Sequence, residues 1–299
     1  KFYCWTREEM AGLLTAEELP VAARYFGVTE QGNFLDHSHP QPLSHQNVLN
    51  ITDPALTAAE QALLDSAKAK MLAARNRRVR PGRDDKVLAS WNGLMLGAMA
   101  RAYAVLGDEQ YREAAARNCE FLKARLWDED TRTLFHRWRE DERDEVQLVE
   151  AYAFLASGVL ELYEATLAPG CLEFALALGE AMLARFYDPA NGGFWQSPAD
   201  APELILRLKP DYDGAEPAGN SLAALTLLKL GAITGRADFT DAAQQTLRFF
   251  SSRLQQVPLA CPAMLQALDF SLAAPTRAVI AGLTGAPPTR VLLHALHAV

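Results

Sequence analysis

Apolar residues recur at helical spacing in the segment 80–107, RPGRDDKVLASWNGLMLGAMARAYAVLG. Met95 and Met99 fall on one face of the predicted helix, and Asn92 falls on the same face. An unpaired buried amide costs on the order of 1–3 kcal/mol, so an amide within an apolar stripe needs partners. Asn92 is therefore predicted either to be hydrogen-bonded within the core or to face a polar cavity at the end of the helix.

The pattern of this segment returns twice along the chain. A shift of 60 positions places RLWD at 125–128 on RFYD at 185–188. A shift of 128 positions places Asn92-Gly93-Leu94 on Asn220-Ser221-Leu222. Three copies of a helix–turn–helix unit therefore follow one another, which predicts stacked helical hairpins that share one core.

Local signals place the remaining elements. Thr6 with Glu9 three positions later forms a capping box that opens a short helix. Other helices are predicted at 55–78, 109–126, 145–166, 172–187, 238–254 and 262–272. Alternating runs predict short strands at 1–5, 133–139, 204–209 and 277–281.

Composition narrows the class of protein. The 299 residues are 49% hydrophobic, which is enough for a large core, and the net charge of −8 argues against a nucleic-acid partner. No apolar run reaches membrane-spanning length, and the four cysteines show no metal-ligand spacing. We therefore expect a cytoplasmic protein with reduced thiols, no metal, no cofactor and no membrane partner.

Candidate chemistry gathers where the helix ends would converge. If the hairpins curl into a ring, their loops meet at a central mouth, and carboxylates beside aromatic rings suit sugar chemistry there. One acid protonates a leaving oxygen, a second activates water, and a ring stacks on the sugar. The predicted catalytic residues are Asp85, Glu150, Asp213 and Glu216. The predicted substrate contacts are Asp84, Trp91, Asn92, Tyr152, Trp195 and Asn220.

Each of these residues also has a structural alternative. Asp84 and Asp85 precede the helix and favour a capping role. Glu216 precedes a proline, which is typical of a helix start. Tyr152 could pack within the core, and Trp195 could plug the ring. The sequence leaves both readings open for every residue of the set.

Long segments resemble the spermatogenesis-associated protein 20 family of thioredoxin-domain-containing proteins: KFYCWTREEM, GVTEQGNF, RPGRDDKVLASWNGLM, LVEAYAFLASGVLELYEAT and YDGAEPAGNSLAAL. The resemblance implies an all-α fold, an (α/α) toroid of helical hairpins with short β-hairpins in its loops. That fold is similar to six-hairpin glycosidases and N-acylglucosamine 2-epimerases. At Ala151 the family usually has an acidic residue, which leaves Glu150 as the nearby carboxylate.

The resemblance also implies a domain plan and a function. We expect an incomplete toroid over 1–275 and a tail over 276–299, both from the C-terminal part of a longer protein that begins with a thioredoxin-like domain. The leading function is a carbohydrate-active protein, glycosidase- or sugar-epimerase-like, that binds a sugar or sugar derivative. The alternative is a non-catalytic helical scaffold that binds a protein or peptide beside the redox domain. The apolar inner helices predict that a second chain or a missing N-terminal segment covers an open edge.

Overall fold

The computed structural model describes residues 2–37, 40–201, 206–273, 276, 278–283 and 285–297. These residues form twelve α-helices, one short 3-10 helix and five strands of two or three residues. The predicted all-α class is therefore confirmed. The chain divides into two compact units, Lys1–Asp84 and Asp85–Val299. The predicted limits of the toroid and tail, and the thioredoxin-like domain, stay predictions.

The first unit contains α1 (Arg7–Ala11), α2 (Glu18–Phe26) and α3 (Ala58–Asn76). The predicted capping box opens α1: the backbone N–H of Glu9 donates to Thr6 Oγ1 at 3.0 Å, and the N–H of Thr6 donates to Glu9 Oε2 at 2.9 Å. Two orphan donors of the first turn are thereby satisfied.

Glu18, at the start of α2, is a buried charge with a full set of partners. Its side chain accepts hydrogen bonds from Lys70 Nζ at 2.7 Å, Ser66 Oγ at 2.6 Å and the backbone N–H of Thr15 at 2.8 Å. The lysine bond, the serine bond and then the backbone bond lower the pKa of Glu18 from 4.5 to about 2. The carboxylate thus holds α2 against α3 in its ionised form.

The second unit repeats one helical hairpin three times. We call the first helix of each hairpin its inner helix and the second its outer helix. Adding 60 to the first and last residue numbers of both helices in the first hairpin gives those of the second hairpin. Adding 128 to the first residue of the first outer helix gives the first residue of the last outer helix. The predicted repeat is therefore present in the fold. Its helices are α4 (Ala89–Leu106) with α5 (Glu109–Leu126), α6 (Val149–Thr166) with α7 (Pro169–Phe186), and α8 (Gly219–Thr234) with α9 (Ala237–Phe249).

The helix predicted at 238–254 is broken into α9 and α10 (Ser251–Gln256). Phe250, between them, has ψ near 8° and leaves the helical conformation. A 3-10 turn and α11 (Pro262–Leu272) follow, and α11 has the predicted limits. The last described helix is α12 (Pro287–His297).

The inner helices of the second unit are neighbours in chain order, because α4 packs on α6, α6 on α8 and α8 on α11. Glycines bring α4 and α6 into backbone contact. A Cβ atom added to Gly93 would lie 2.6 Å from the backbone nitrogen of Leu155, and one added to Gly97 would lie 3.3 Å from the Cα atom of Gly158. The first two inner helices therefore cross at a distance that only glycine allows.

The strands are short and lie in the loops between helices, where the sequence predicts β-hairpins. The first sheet has antiparallel order β1-β4-β5 and the second pairs β2 with β3. Their limits are β1 (Val87–Leu88), β2 (Trp127–Asp128), β3 (Thr133–Leu134), β4 (Arg137–Arg139) and β5 (Glu142–Arg143).

All four strand predictions need correction. The run at 133–139 is not one strand, because β3 and β4 belong to different sheets. Residues 206–209 and 278–281 form no strand, whereas Leu204, Ile205 and Arg277 lie outside the described residues. Near the start of the chain, Trp5 makes one isolated bridge, to Asn47.

Helix α12 lies across the C-terminal ends of α4 and α6. His294 Nδ1 donates to the carbonyl of Ala104 at 3.1 Å, and His297 Nε2 donates to the carbonyl of Glu164 at 3.1 Å. These bonds satisfy carbonyl groups that a helix end leaves without partners. The C-terminal ends of α4 and α6 are thus covered, whereas the N-terminal ends of α4, α6 and α8 surround a pocket.

Candidate functional site

An open pocket of about 580 Å³ lies where α4, α6 and α8 begin. Helix α4 contributes Trp91, α6 contributes Glu150, and the segment that leads into α8 contributes Tyr212 and Glu216. Since the three helices occupy equivalent positions in the repeat, their first turns converge on one place. Of the ten predicted site residues, the pocket brings together Trp91, Glu150 and Glu216.

Glu150 is half-buried on the pocket wall. Burial raises the pKa of its carboxyl group, and the negative charge of Glu216 raises it as well. Hydrogen bonds from its own backbone and from the Gln196 side chain lower it in part. The carboxyl group therefore keeps its proton to a higher pH than an ordinary glutamate, which is the property of a general acid.

Glu216 is exposed and is positioned by an aromatic ring. Trp91 Nε1 donates to Glu216 Oε2 at 2.7 Å, although 125 positions separate the two residues. Trp91 is 62% exposed and Tyr212 is 64% exposed, so both residues are accessible to a ligand in the pocket. Two carboxyl groups with rings beside them form the arrangement that carbohydrate binding uses.

The start of α8 packs tightly against the start of α6. A Cβ atom added to Gly219 would lie 2.8 Å from Val149 Cγ1 and 3.3 Å from the backbone nitrogen of Glu150. Only a residue without a side chain fits there. This close approach places the segment that carries Glu216 next to the residue that carries the second carboxyl group.

The aspartates before α4 do not cap it, contrary to expectation. Helix α4 begins after Leu88, whose side chain makes no capping bond. Asp85 instead lies with its Oδ1 atom 2.7 Å from Arg139 Nε, and Asp84 is exposed in the first unit. Strand β1 comes between Asp85 and the helix, and Asp85 does not line the pocket.

Tyr152 and Asn220 are corrections to the predicted substrate contacts. Both side chains are 0% exposed. Tyr152 accepts a hydrogen bond from the backbone N–H of Leu134 at 2.7 Å, and Asn220 accepts one from the N–H of Phe194 at 2.6 Å. Leu134 and Phe194 are 60 positions apart, so the two bonds are equivalent in the repeat. Each bond ties the hairpin of one repeat to the inner helix of the next.

Asn92 and Asp213 also bind backbone groups. Asn92 Nδ2 donates to the carbonyl of Leu88 at 2.9 Å. Asp213 accepts from the backbone N–H of Ala218 at 2.7 Å and of Ala263 at 2.8 Å, which joins the starts of α8 and α11. Neither residue lines the pocket. Asp213 therefore has a capping role in the fold, and the catalytic role predicted for it stays a prediction.

Trp195 lies outside the pocket lining and close to two cations. Lys209 Nζ is 4.5 Å and Arg207 Cζ 4.8 Å from the centre of its ring. Cations at this distance are attracted to the ring face. The Trp195 ring therefore contacts cations of its own chain, whereas the sequence predicts that it contacts a sugar.

Two lining residues with polar side chains, Gln196 and Tyr212, are absent from the site predicted from the sequence. The repeat relates Gln196 to another position, because Gln196 lies 60 positions after His136 and the two residues are therefore equivalent. The backbone N–H of Ala89 donates to the carbonyl of His136 at 2.9 Å, and the N–H of Val149 donates to the carbonyl of Gln196 at 3.0 Å. Both residues thus dock at the start of an inner helix.

The residues that the structure describes show neither a metal-binding cluster nor a membrane-spanning helix. Nowhere among them do three His, Cys, Asp or Glu side chains group closely enough to hold a metal ion. None of the helices there combines the length and the apolar character needed to cross a bilayer. All four cysteines are free thiols.

Comparison with known proteins gives relatives for the whole chain. No family model matches it. It is 35% identical over 326 aligned residues to spermatogenesis-associated protein 20 of Homo sapiens, an alignment that covers 100% of this chain and 42% of the human protein. The chain thus spans less than half the length of this relative.

Solved structures resemble the fold at low sequence identity. A GH76 α-mannanase of Bacteroides thetaiotaomicron has a TM-score of 0.50 and 14% identity, with 80% of this chain and 68% of the mannanase covered. A cellobiose 2-epimerase of Bacillus thermoamylovorans has a TM-score of 0.48 and 16% identity, with 57% and 46% covered.

The likeness to the mannanase concerns the fold alone, and the arrangement of α4 to α9 in successive hairpins agrees with it. The predicted (α/α) toroid class is confirmed. The predicted resemblance is confirmed as well: over its whole length the chain is similar to spermatogenesis-associated protein 20, and its helical fold is similar to that of six-hairpin glycosidase-like proteins.

Proposed function

We propose that the pocket at the start of α4, α6 and α8 binds a carbohydrate and carries out acid–base chemistry on it. The observation that supports this most strongly is the pair Glu150 and Glu216, which share one pocket with the exposed ring of Trp91. Burial and the second carboxylate raise the pKa of Glu150, whereas Glu216 faces solvent. Two carboxyl groups in such different surroundings are suited to different roles.

Each residue of the pair has a distinct role in the proposed reaction. Glu150, protonated at a higher pH than an ordinary glutamate, donates its proton to the glycosidic oxygen as the bond to the sugar breaks. Glu216 accepts a proton from the attacking water. Trp91 stacks on the sugar and, through its N–H bond, keeps Glu216 Oε2 in position. In an epimerase the same pair would remove and return a proton on carbon.

A second role, the scaffold, is supported by a different surface. Met95, Val105 and Leu106 of α4 are 53%, 60% and 65% exposed. Large exposed apolar residues grouped on one helix are typical of an interface. We propose that a second chain, or a segment of the longer protein, covers this face of α4. Size measurement with Met95→Glu would show loss of any larger species if this face is the contact.

Activity on oligosaccharides tests the proposed chemistry. The 299-residue chain is assayed for hydrolysis and for epimerisation, beside Glu150→Gln and a matched control, Glu113→Gln. Glu113 is an exposed residue of α5 that pairs with Arg117, so its substitution removes the same charge away from the pocket. We expect Glu150→Gln to lose about 10²–10⁴-fold in kcat and the control to keep wild-type turnover. Equal turnover in both variants would contradict the proposal, and a wild-type chain inactive on every sugar would favour the scaffold.

A further inference from the structure

The charge on the pocket wall is of one sign. Among the described residues that line it, the charged side chains are Glu150 and Glu216, and no lysine, arginine or histidine joins them. The rest of the wall is made of the rings of Trp91 and Tyr212, the amide of Gln196 and small or apolar residues. A ligand therefore meets two acidic groups without a lining cation beside them.

The cations nearest along the chain are committed to other partners. Lys209 is the residue before the lining residue Pro210, yet its Nζ atom lies 2.8 Å from Asp188 Oδ2 and its side chain is only 6% exposed. Arg207 Nη2 donates to the carbonyl of Ser197 at 3.0 Å. Both cations are held by these bonds and neither lines the pocket, so neither compensates the two glutamates.

We propose that this pocket prefers sugars that carry a protonated amine, and that it rejects sugars that carry a carboxylate or phosphate. The inference rests on the carbohydrate function proposed above and adds the chemical class of the ligand. An ammonium group donates charge-assisted hydrogen bonds to a carboxylate such as that of Glu216. A ligand anion would instead be placed next to that like charge, which suppresses binding.

The state of Glu150 supports this selection. Burial raises the pKa of its carboxyl group, and the charge of Glu216 adds to the effect. Both causes disfavour negative charge at this place. A bound anion would disfavour the negative charge on Glu150 further, whereas a bound cation would offset the effect of the Glu216 charge.

Three probes of equal length test the selection: the tetramers of glucosamine, of N-acetylglucosamine and of galacturonic acid. Binding to the full chain is measured by calorimetry at slightly acidic pH, where the amines of the first probe are protonated. We expect the glucosamine tetramer to bind at least about tenfold more tightly than its acetylated counterpart, and the galacturonate tetramer at least about tenfold more weakly. The preference should shrink as salt is added.

Two variants locate the source of the preference. Glu216→Gln retains an oxygen that can accept the Trp91 N–H but removes the charge, so the preference for the amine should fall by about tenfold. Glu113→Gln removes a charge from exposed α5 and should leave the preference unchanged. Equal binding of the three probes, or tighter binding of galacturonate, would overturn the selection while the carbohydrate function stands. Failure of the wild-type chain to bind any of the three would contradict that function and the selection with it.

Discussion

Two glutamates in the two units of this chain show how burial alone does not decide the role of a carboxyl group. Glu18 is 3% exposed and binds Lys70 at 2.7 Å, and its pKa is lowered to about 2. Glu150 is half-buried, its charged neighbour is Glu216, and its pKa is raised. The first group is held as an ion by a cation, whereas the second is held toward its protonated form by burial and a like charge.

The difference teaches which buried polar groups belong to the fold. Glu18, Tyr152 and Asn220 bind partners of their own chain, and the hydrogen bonds they accept hold elements together. Glu150 faces a pocket, and its surroundings favour a proton that can be given away. A polar group with a full set of partners stabilises the structure, and one with an altered pKa in a pocket is a candidate for chemistry.

The same substitution at the two glutamates should have opposite consequences. Glu150→Gln removes the proposed acid and is expected to lower kcat by about 10²–10⁴-fold, while the melting temperature stays the same or rises. Glu18→Gln removes an ion that the fold uses and is expected to lower the melting temperature while kcat is kept. Turnover and thermal unfolding of both variants check this pair. The distinction between the two groups would be lost if both variants behaved alike.

Asn220→Ala should be costly for stability although Asn220 does not line the pocket. The change removes the bonds to Phe194 and leaves its buried N–H without the partner that now lies 2.6 Å away. We expect a loss of about 1–3 kcal/mol in the free energy of unfolding, measured by urea denaturation. If the variant bound sugar more weakly at unchanged stability, the result would support the sequence-based prediction that Asn220 contacts the ligand.

The pH dependence of stability should separate the two glutamates as well. The folded pKa of Glu18 is depressed, so its contribution is present above 4.5 and is lost as pH falls toward about 2. The folded pKa of Glu150 is raised, so stability falls as pH rises from its unfolded value of 4.5 toward the folded one. Unfolding curves of wild type, Glu18→Gln and Glu150→Gln over this range test both signs. A stability gain for wild type over Glu150→Gln on raising pH would contradict the second.

Tyr152→Phe should have the smallest effect. It removes the hydroxyl that accepts from Leu134 N–H at 2.7 Å and keeps the ring in the core. The expected loss is about 1 kcal/mol in the free energy of unfolding, with no change in sugar binding. Unchanged stability together with weakened binding would show that Tyr152 reaches a ligand after all.

The repeat was predictable because its signal is local. Apolar spacing and the paired segments at 125–128 and 185–188 define the hairpins, and the helix limits follow the same shift of 60. The strand predicted at 133–139 was wrong as a single element, because Leu134 pairs with Trp127 and Arg137 pairs with Leu88. Alternation along the chain does not show which strand a segment pairs with.

The site was predictable only in part. Trp91, Glu150 and Glu216 were selected because they stand at helix starts that the repeat makes equivalent. The partners of Tyr152 and Asn220 lie 18 and 26 positions away along the chain. A sequence shows that a polar group exists but not whether the folded chain already satisfies it, and for this reason these two appeared as ligand contacts.

The titration of Glu150, followed by NMR of its labelled side-chain carboxyl carbon, tests the proposed site most directly. Glu18 of the same sample serves as the internal reference, with an expected pKa of about 2. We expect Glu150 to titrate above the ordinary value of 4.5, and its titration to move when an oligosaccharide is added. A Glu150 that titrates at or below 4.5 and does not respond to any sugar would contradict its role as the acid of a carbohydrate site.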